Sequence, residues 1–309
     1  MSAEVLAAGT VQIVGGVALA PLLPGLIQSF KARLQGRRGP SPLQPYRALR
    51  RLWSRSRVTP QPHSLVYDMV PLVSAASVLL IMAMLPVAST APDWRLGNDA
   101  FVVVGLLALG RFALALAAWD TGSGFALMGV ARDLTFAVIG EALLLVVLVL
   151  LALPAGSTDL VAMSASAADG AGWAEPAQWA AAAGLAIVAL AETGRQPIDN
   201  PDTHLELTMV HEGPLLEYAG RDLALLQWTA AARHWIVLVL IAELALPHPG
   251  PFGAQLVALG SALAVLAPLL AIVETAQAKM RILRVPLLLG GGLAICLMGL
   301  AASLLGVSA

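Results

Sequence analysis

Eight apolar stretches, each close to the length of a membrane-crossing helix, dominate the sequence: roughly 7–29, 66–88, 100–118, 134–153, 177–194, 223–246, 253–273 and 286–306. A bilayer core is crossed by about 20 helical residues. The glycines and prolines inside several stretches are tolerated in such helices. The expectation is an all-α integral membrane protein with about eight transmembrane helices, a single polytopic domain over 1–309. Composition agrees: the chain is 58% hydrophobic and only 12% charged, against about 25% charged in soluble domains. Its net charge of -1 creates no field that would draw nucleic acid. The N-terminus lacks a basic n-region and a small-residue cleavage site, and reads as a retained first span.

Charge is distributed unevenly between the loops. Residues 31–64 carry nine basic residues and no acidic one, whereas 154–176, which reads as a loop, carries Asp159, Asp169 and Glu175 and no basic one. The positive-inside rule therefore places loops 31–64, 119–133, 195–222 and 274–285 in the cytoplasm and both termini outside. Arg95 is then the one loop arginine on the outer side.

The first loop has structure of its own. In "RLQGRRGPSPLQPYRALRRLWSR", Leu49, Leu52 and Trp53 recur at helical spacing after Pro45, opposite Arg47, Arg50, Arg51 and Arg55. This predicts a short interfacial amphipathic helix, serving either attraction to anionic lipid or docking of a soluble partner.

The passage "AETGRQPIDNPDTHLELTMVHEGPLLEY" gathers Glu192, Arg195, Asp199, Asp202, His204, Glu206, His211, Glu212 and Glu217 in an otherwise uncharged neighbourhood. Arg195 follows Glu192 at i+3, a spacing suited to a helix-end ion pair. Asn200-Pro201 reads as the start of a short helix carrying Asp202 and Glu206 on one face. Neighbouring carboxylates raise one another's pKa and histidine titrates near neutrality, so the set suits the uptake and passage of protons. A zinc site at His204, Glu206, His211 and Glu212 lacks the helical two-histidine spacing. Within the spans, Glu141 is an intramembrane carboxylate without a charged neighbour in sequence, which marks a functional position. Its partner is expected from another helix, with Arg111 the candidate, or from internal water. Arg132, Asp133, Asp120, Arg233 and His234 are further ionisable groups at or within spans, and Glu243 has an interfacial or functional reading. The single cysteine, Cys296, reads as a packing residue.

These motifs resemble those of the NADH dehydrogenase subunit 1 family, whose members anchor the peripheral arm of respiratory complex I. "AETGRQPIDNPDTHLEL" is similar to the family's charged loop, "RRGPSPLQPYRALRRLW" to its first loop, and "ALMGVARDLTFAVIGEALL" to its third loop and fourth helix. The lengthened "TMVHEGPLLEYAG" and His204, at a position usually acidic, look more like the branch found in formate hydrogenlyase and related energy-converting hydrogenases.

The resemblance implies a non-catalytic subunit of an oxidoreductase complex in a prokaryotic plasma membrane. It assigns Glu192, Arg195, Asp199, Asp202 and Glu206 to a loop facing peripheral subunits. Glu141 falls on the proton route, and Glu217 and Tyr218 match a Glu-Tyr pair. Arg37, Arg38, Gly39 and Pro40 match the first-loop motif, and His204 and His211 have counterparts in the hydrogenase branch. No cofactor is expected on this chain. A nickel–iron (NiFe) centre and iron–sulfur (Fe-S) clusters are expected in the hydrogenase large and small subunits docked on the cytoplasmic side, with antiporter-like membrane subunits and lipid as further partners. Two rivals remain, a quinone-binding subunit of a complex I-type enzyme and a stand-alone ion antiporter, and H⁺ or Na⁺ stays open as the translocated ion.

Overall fold

The computed structural model describes residues 3–86, 98–168, 170–199, 210–248, 250 and 252–306. Every predicted apolar stretch forms helix. The first breaks in two: α1 (Ala3–Leu19) and α2 (Leu22–Leu34) meet at a 40° bend, where the expectation was one continuous span. Pro21, which has no N–H to continue the ladder, stands at the break. The amphipathic helix follows as α3 (Gln44–Trp53), with Pro45 in its first turn. Its Leu49 and Leu52 turn inward, but Trp53 remains 56% exposed.

Next come α4 (Leu65–Met84), capped by the Ser64 side chain, and α5 (Ala100–Thr121), capped by Asp99. Gly122 in the left-handed conformation ends α5, and α6 begins at once, running Gly124–Ala155. The anticipated loop 119–133 is therefore little more than a turn, and Arg132 and Asp133 lie within a helix. The stretch 154–176 is also more ordered than anticipated. Asp159 accepts from the N–H groups of Val161 and Ala162 and starts the short helix α7 (Leu160–Ala167), and a 3₁₀ turn follows at Ala171–Ala174. The remaining helices are α8 (Pro176–Glu192), α9 (Gly220–Ala245), α10 (Phe252–Ala276) and α11 (Val285–Leu304).

Among the described residues six helices are long and apolar enough to cross a membrane; the bent pair α1–α2 makes a seventh, and α8 is a shorter apolar helix. This is a multi-pass membrane protein. Helix α9 runs through the middle, touching α1 to α4, α7, α8 and α10. Helices α6, α8 and α11 pack on one another through small residues: Gly184, Gly292 and Gly299 leave no room for a Cβ against Cys296, Ile187 and Ala180. Close backbone approach of this kind drives association where lipid removes the hydrophobic contrast. Cys296 is buried here and its thiol donates to the Ala180 carbonyl at 3.3 Å.

Candidate functional site

A line of ionisable side chains threads the interior where α5, α6, α8 and α9 meet. It starts at Arg111, whose side chain is 5% exposed. One guanidinium nitrogen donates to Glu141 Oε1 at 2.9 Å and another to Glu192 Oε1 at 2.6 Å, while Nε lies 3.7 Å from Asp133 Oδ2. The expected partner of Glu141 is thus the one present. The other oxygen of Glu192 accepts from Arg233 at 3.4 Å, and Arg233 also donates to the Leu107 carbonyl at 3.1 Å.

The line then leaves the helices. Asp133 Oδ1 lies 3.6 Å from His211 Nε2, His211 Nδ1 lies 3.4 Å from Asp199 Oδ2, and Asp199 Oδ1 accepts from Lys279 at 2.9 Å. Asp199 also receives the backbone N–H groups of Val210 and His211, which folds the two ends of the charged loop against each other. Three fixed cations (Arg111, Arg233, Lys279) face four carboxylates (Asp133, Glu141, Glu192, Asp199), so a proton on His211 brings the formal sum to zero. Burial opposes the charge on His211, but the Asp199 hydrogen bond and the nearby Asp133 raise its pKa above the ordinary value. Burial likewise opposes ionised Asp199, yet hydrogen bonds from His211 and Lys279 hold it well below the usual carboxylate range. A cavity of about 110 Å³ adjoins the line, edged by Ser77, Asp133, Glu192, His211, Thr229 and Arg233. A space of that size with these polar groups at its edge can hold several waters.

Arg195 is not the partner of Glu192. Gly194, at φ 59°, turns the chain out of α8, and Arg195 donates to Glu274 on α10 at 3.0 Å. Lys31 at the end of α2 approaches the second oxygen of Glu274 at 3.2 Å. All three members of this triad are buried. Sequence reading missed Glu274, an acidic residue just past the 253–273 stretch that only the fold brings to Arg195.

The other expected positions are placed as follows. Tyr218 stacks on Tyr67 with centroids 4.3 Å apart, and Tyr67 donates to the carbonyl of Glu217 at 2.8 Å, so this pair fixes the end of the loop to α4. Burial, with the neighbouring Tyr67 and Asp222, pushes the Tyr218 phenol up. Glu212 is half-buried. Arg37, Arg38, Gly39 and Pro40 are exposed beyond α2, with Arg37 donating to Gln35. Asp202, His204 and Glu206, and with them the helix expected after Asn200, lie outside the described residues. Among the described residues no group of three metal-ligating side chains stands together. Glu243 is buried among its neighbours. It is 1% exposed, 3.5 Å from His248 and 3.3 Å from the Ser164 hydroxyl, because α7 folds over that end of the bundle.

The family model described as NADH dehydrogenase matches residues 8–302. The chain belongs to that family. Within the NADH dehydrogenase family it is 36% identical to hydrogenase-4 component C of Escherichia coli over 74% of this chain and 71% of that protein. It is 32% identical to formate hydrogenlyase subunit 4 of the same organism, over 74% of each. NADH-ubiquinone oxidoreductase chain 1 of Sminthopsis macroura is 27% identical over 62% of this chain and 60% of its own length. A chain in the structure of the membrane-bound sulfane sulfur reductase, an archaeal respiratory membrane complex, has the same fold at a TM-score of 0.83 and 19% identity, covering 96% of this chain and 98% of that one. The relatives are components of multi-subunit complexes.

Proposed function

We propose that this chain is the membrane subunit of a hydrogenase complex of the formate hydrogenlyase type, anchoring the peripheral redox arm and coupling its electron transfer to proton movement. One observation carries the reading: the unbroken line from Lys279 and Asp199 in the loops, through His211 and Asp133, to Arg111, Glu141 and Glu192 among the helices. Its loop end faces the cytoplasm and the peripheral large and small subunits, which hold the nickel–iron centre and Fe-S clusters. Both termini lie outside, in a prokaryotic plasma membrane, with antiporter-like subunits alongside. The chain itself performs electrostatic work: a change of charge at the docked arm shifts protons along a line whose members share carboxylate and guanidinium contacts.

Glu141→Gln tests this. The amide keeps the size of the side chain and cannot ionise. Proteoliposomes with the assembled complex should retain hydrogen evolution from a soluble donor and lose most proton movement per electron. Undiminished proton movement per electron overturns the coupling role. The chain is 36% and 32% identical to the two hydrogenase-type relatives against 27% to NADH-ubiquinone oxidoreductase chain 1, which supports the hydrogenase reading over the quinone one. Inhibition of membrane-bound turnover by a quinone-site compound, relieved by added quinone, would reverse that preference.

A further inference from the structure

We infer that the chain carries a binding site for one anionic phospholipid, made by α3 and the groove beneath it. The groove has a volume of about 330 Å³ and is walled by Val17, Leu49, Trp53, Leu79, Leu225 and Trp228, from α1, α3, α4 and α9. Its walls are wholly apolar. The one polar atom of Trp228 is already spent, since the indole N–H donates to the Val17 carbonyl at 3.2 Å. Trp53 stands 56% exposed at the rim. Hydrocarbon is the occupant that such walls favour.

The other face of α3 supplies the second half of the site. Arg47, Arg50 and Arg51 line an open hollow of about 490 Å³ with Tyr46 and Leu43. No carboxylate among the described residues pairs with these three arginines, whereas Arg57, a few residues on, is held by both Asp68 and Asp222. The helix is fixed in place, because Tyr46 Oη donates to the Ala18 carbonyl at the bend between α1 and α2. Three guanidiniums on a fixed amphipathic helix are matched to a phosphate, which takes paired N–H donors.

The juxtaposition selects the ligand. Free phosphate would leave the groove unfilled, and a neutral isoprenoid would leave the arginines unneutralised. A phospholipid with net negative charge satisfies both halves, its acyl chain in the groove and its headgroup on α3. Lipid of this charge also strengthens the hold of a basic helix on the membrane surface.

The test is native mass spectrometry of the full-length chain in its complex, after exchange into phosphatidylglycerol or phosphatidylcholine of equal chain length. Phosphatidylglycerol should be retained over phosphatidylcholine by at least roughly tenfold, the order expected for one or two arginine contacts. Replacing Arg47, Arg50 and Arg51 together by Gln should abolish that preference. Leu79→Trp, which fills the groove, should reduce retention of both lipids. Arg50→Gln alone gives a milder reading if the triple variant does not assemble. Equal retention of the two lipids overturns the site, as does retention of a quinone in place of lipid. A preference lost in the arginine variant but untouched by Leu79→Trp reduces the effect to general surface attraction and overturns the site as well.

Discussion

Arg111 on α5 donates to Glu192 on α8 at 2.6 Å, and its other terminal nitrogen donates at the same time to Glu141 on α6. Three helices are thus tied at one guanidinium. The planar fork of arginine can serve two carboxylates in fixed directions, which a lysine ammonium on a flexible stem cannot.

Arg111→Met should leave two carboxylates buried without their main cation. Breaking a buried pair from one side costs about 3–5 kcal/mol. Thermal unfolding of the detergent-solubilised protein should fall sharply, and Arg111→Lys should lie between the variant and the native chain. Equal midpoints for all three would deny the guanidinium its role as the tie.

The contact between His211 and Asp199 should loosen on the alkaline side. The raised pKa of His211 means that its contribution is fully present below about pH 6.5, the ordinary histidine range, and is lost as pH rises through the folded value. Asp199 behaves oppositely: its depressed pKa keeps its contribution present above about pH 4 and loses it only in strong acid. Hydrogen exchange at 210–215, corrected for intrinsic rates, should accelerate as pH rises above about 6.5 in the native chain. His211→Gln should flatten that profile; an unchanged profile would remove His211 as the titrating group.

Glu274→Ala should free the loop that leaves α8. It leaves Arg195 and Lys31 facing each other in a buried site, where both now meet the carboxylate at 3.0 and 3.2 Å. Proteolysis at 195–199 should become at least several-fold faster, while Glu274→Gln, which keeps a hydrogen-bond acceptor, should be less affected. Resistance equal to the native chain in both variants would show that the triad does not hold the loop.

Gly129→Ala should disturb His211 without touching it. A Cβ at Gly129 would stand 2.8 Å from the Cα of Gly213, so the turn Gly213–Leu215 must retreat from α6. His211 lies two residues before that turn and draws 3.6 Å from Asp133 only because α6 and the turn touch. The pH dependence of exchange at 210–215 should weaken, with α6 helicity unchanged. A native pH dependence would indicate that the turn moves without carrying His211.

Sequence made the helices legible because long apolar runs admit little else, and it made the Arg111–Glu141 pairing legible because a charge at mid-helix demands a partner from a neighbour. It misplaced the start of α6. Arg132 and Asp133 read as residues at the entry of the span, yet they sit well inside a helix that begins at Gly124. The i+3 rule failed for Glu192 and Arg195 because it presumes an unbroken helix, and Gly194 turns the chain between them. Glu274 meets Arg195 across 79 residues, a distance over which local spacing carries no information. The binding groove under α3 was likewise invisible, since its walls come from four separate helices.

The length of α6 has a mechanical meaning. Its 32 residues make a rod about 48 Å long, set against a hydrocarbon slab about 30 Å thick. To hide inside that slab the rod would have to lean by about 50°, beyond the roughly 0–40° observed for membrane helices. One end therefore stands clear of the oil. Asp133 and Glu141 ride on the same rigid shaft, eight residues apart, so a push on the projecting end displaces both together. A neighbour bearing on that end would have a lever into the interior that needs neither bond breaking nor a flexible joint.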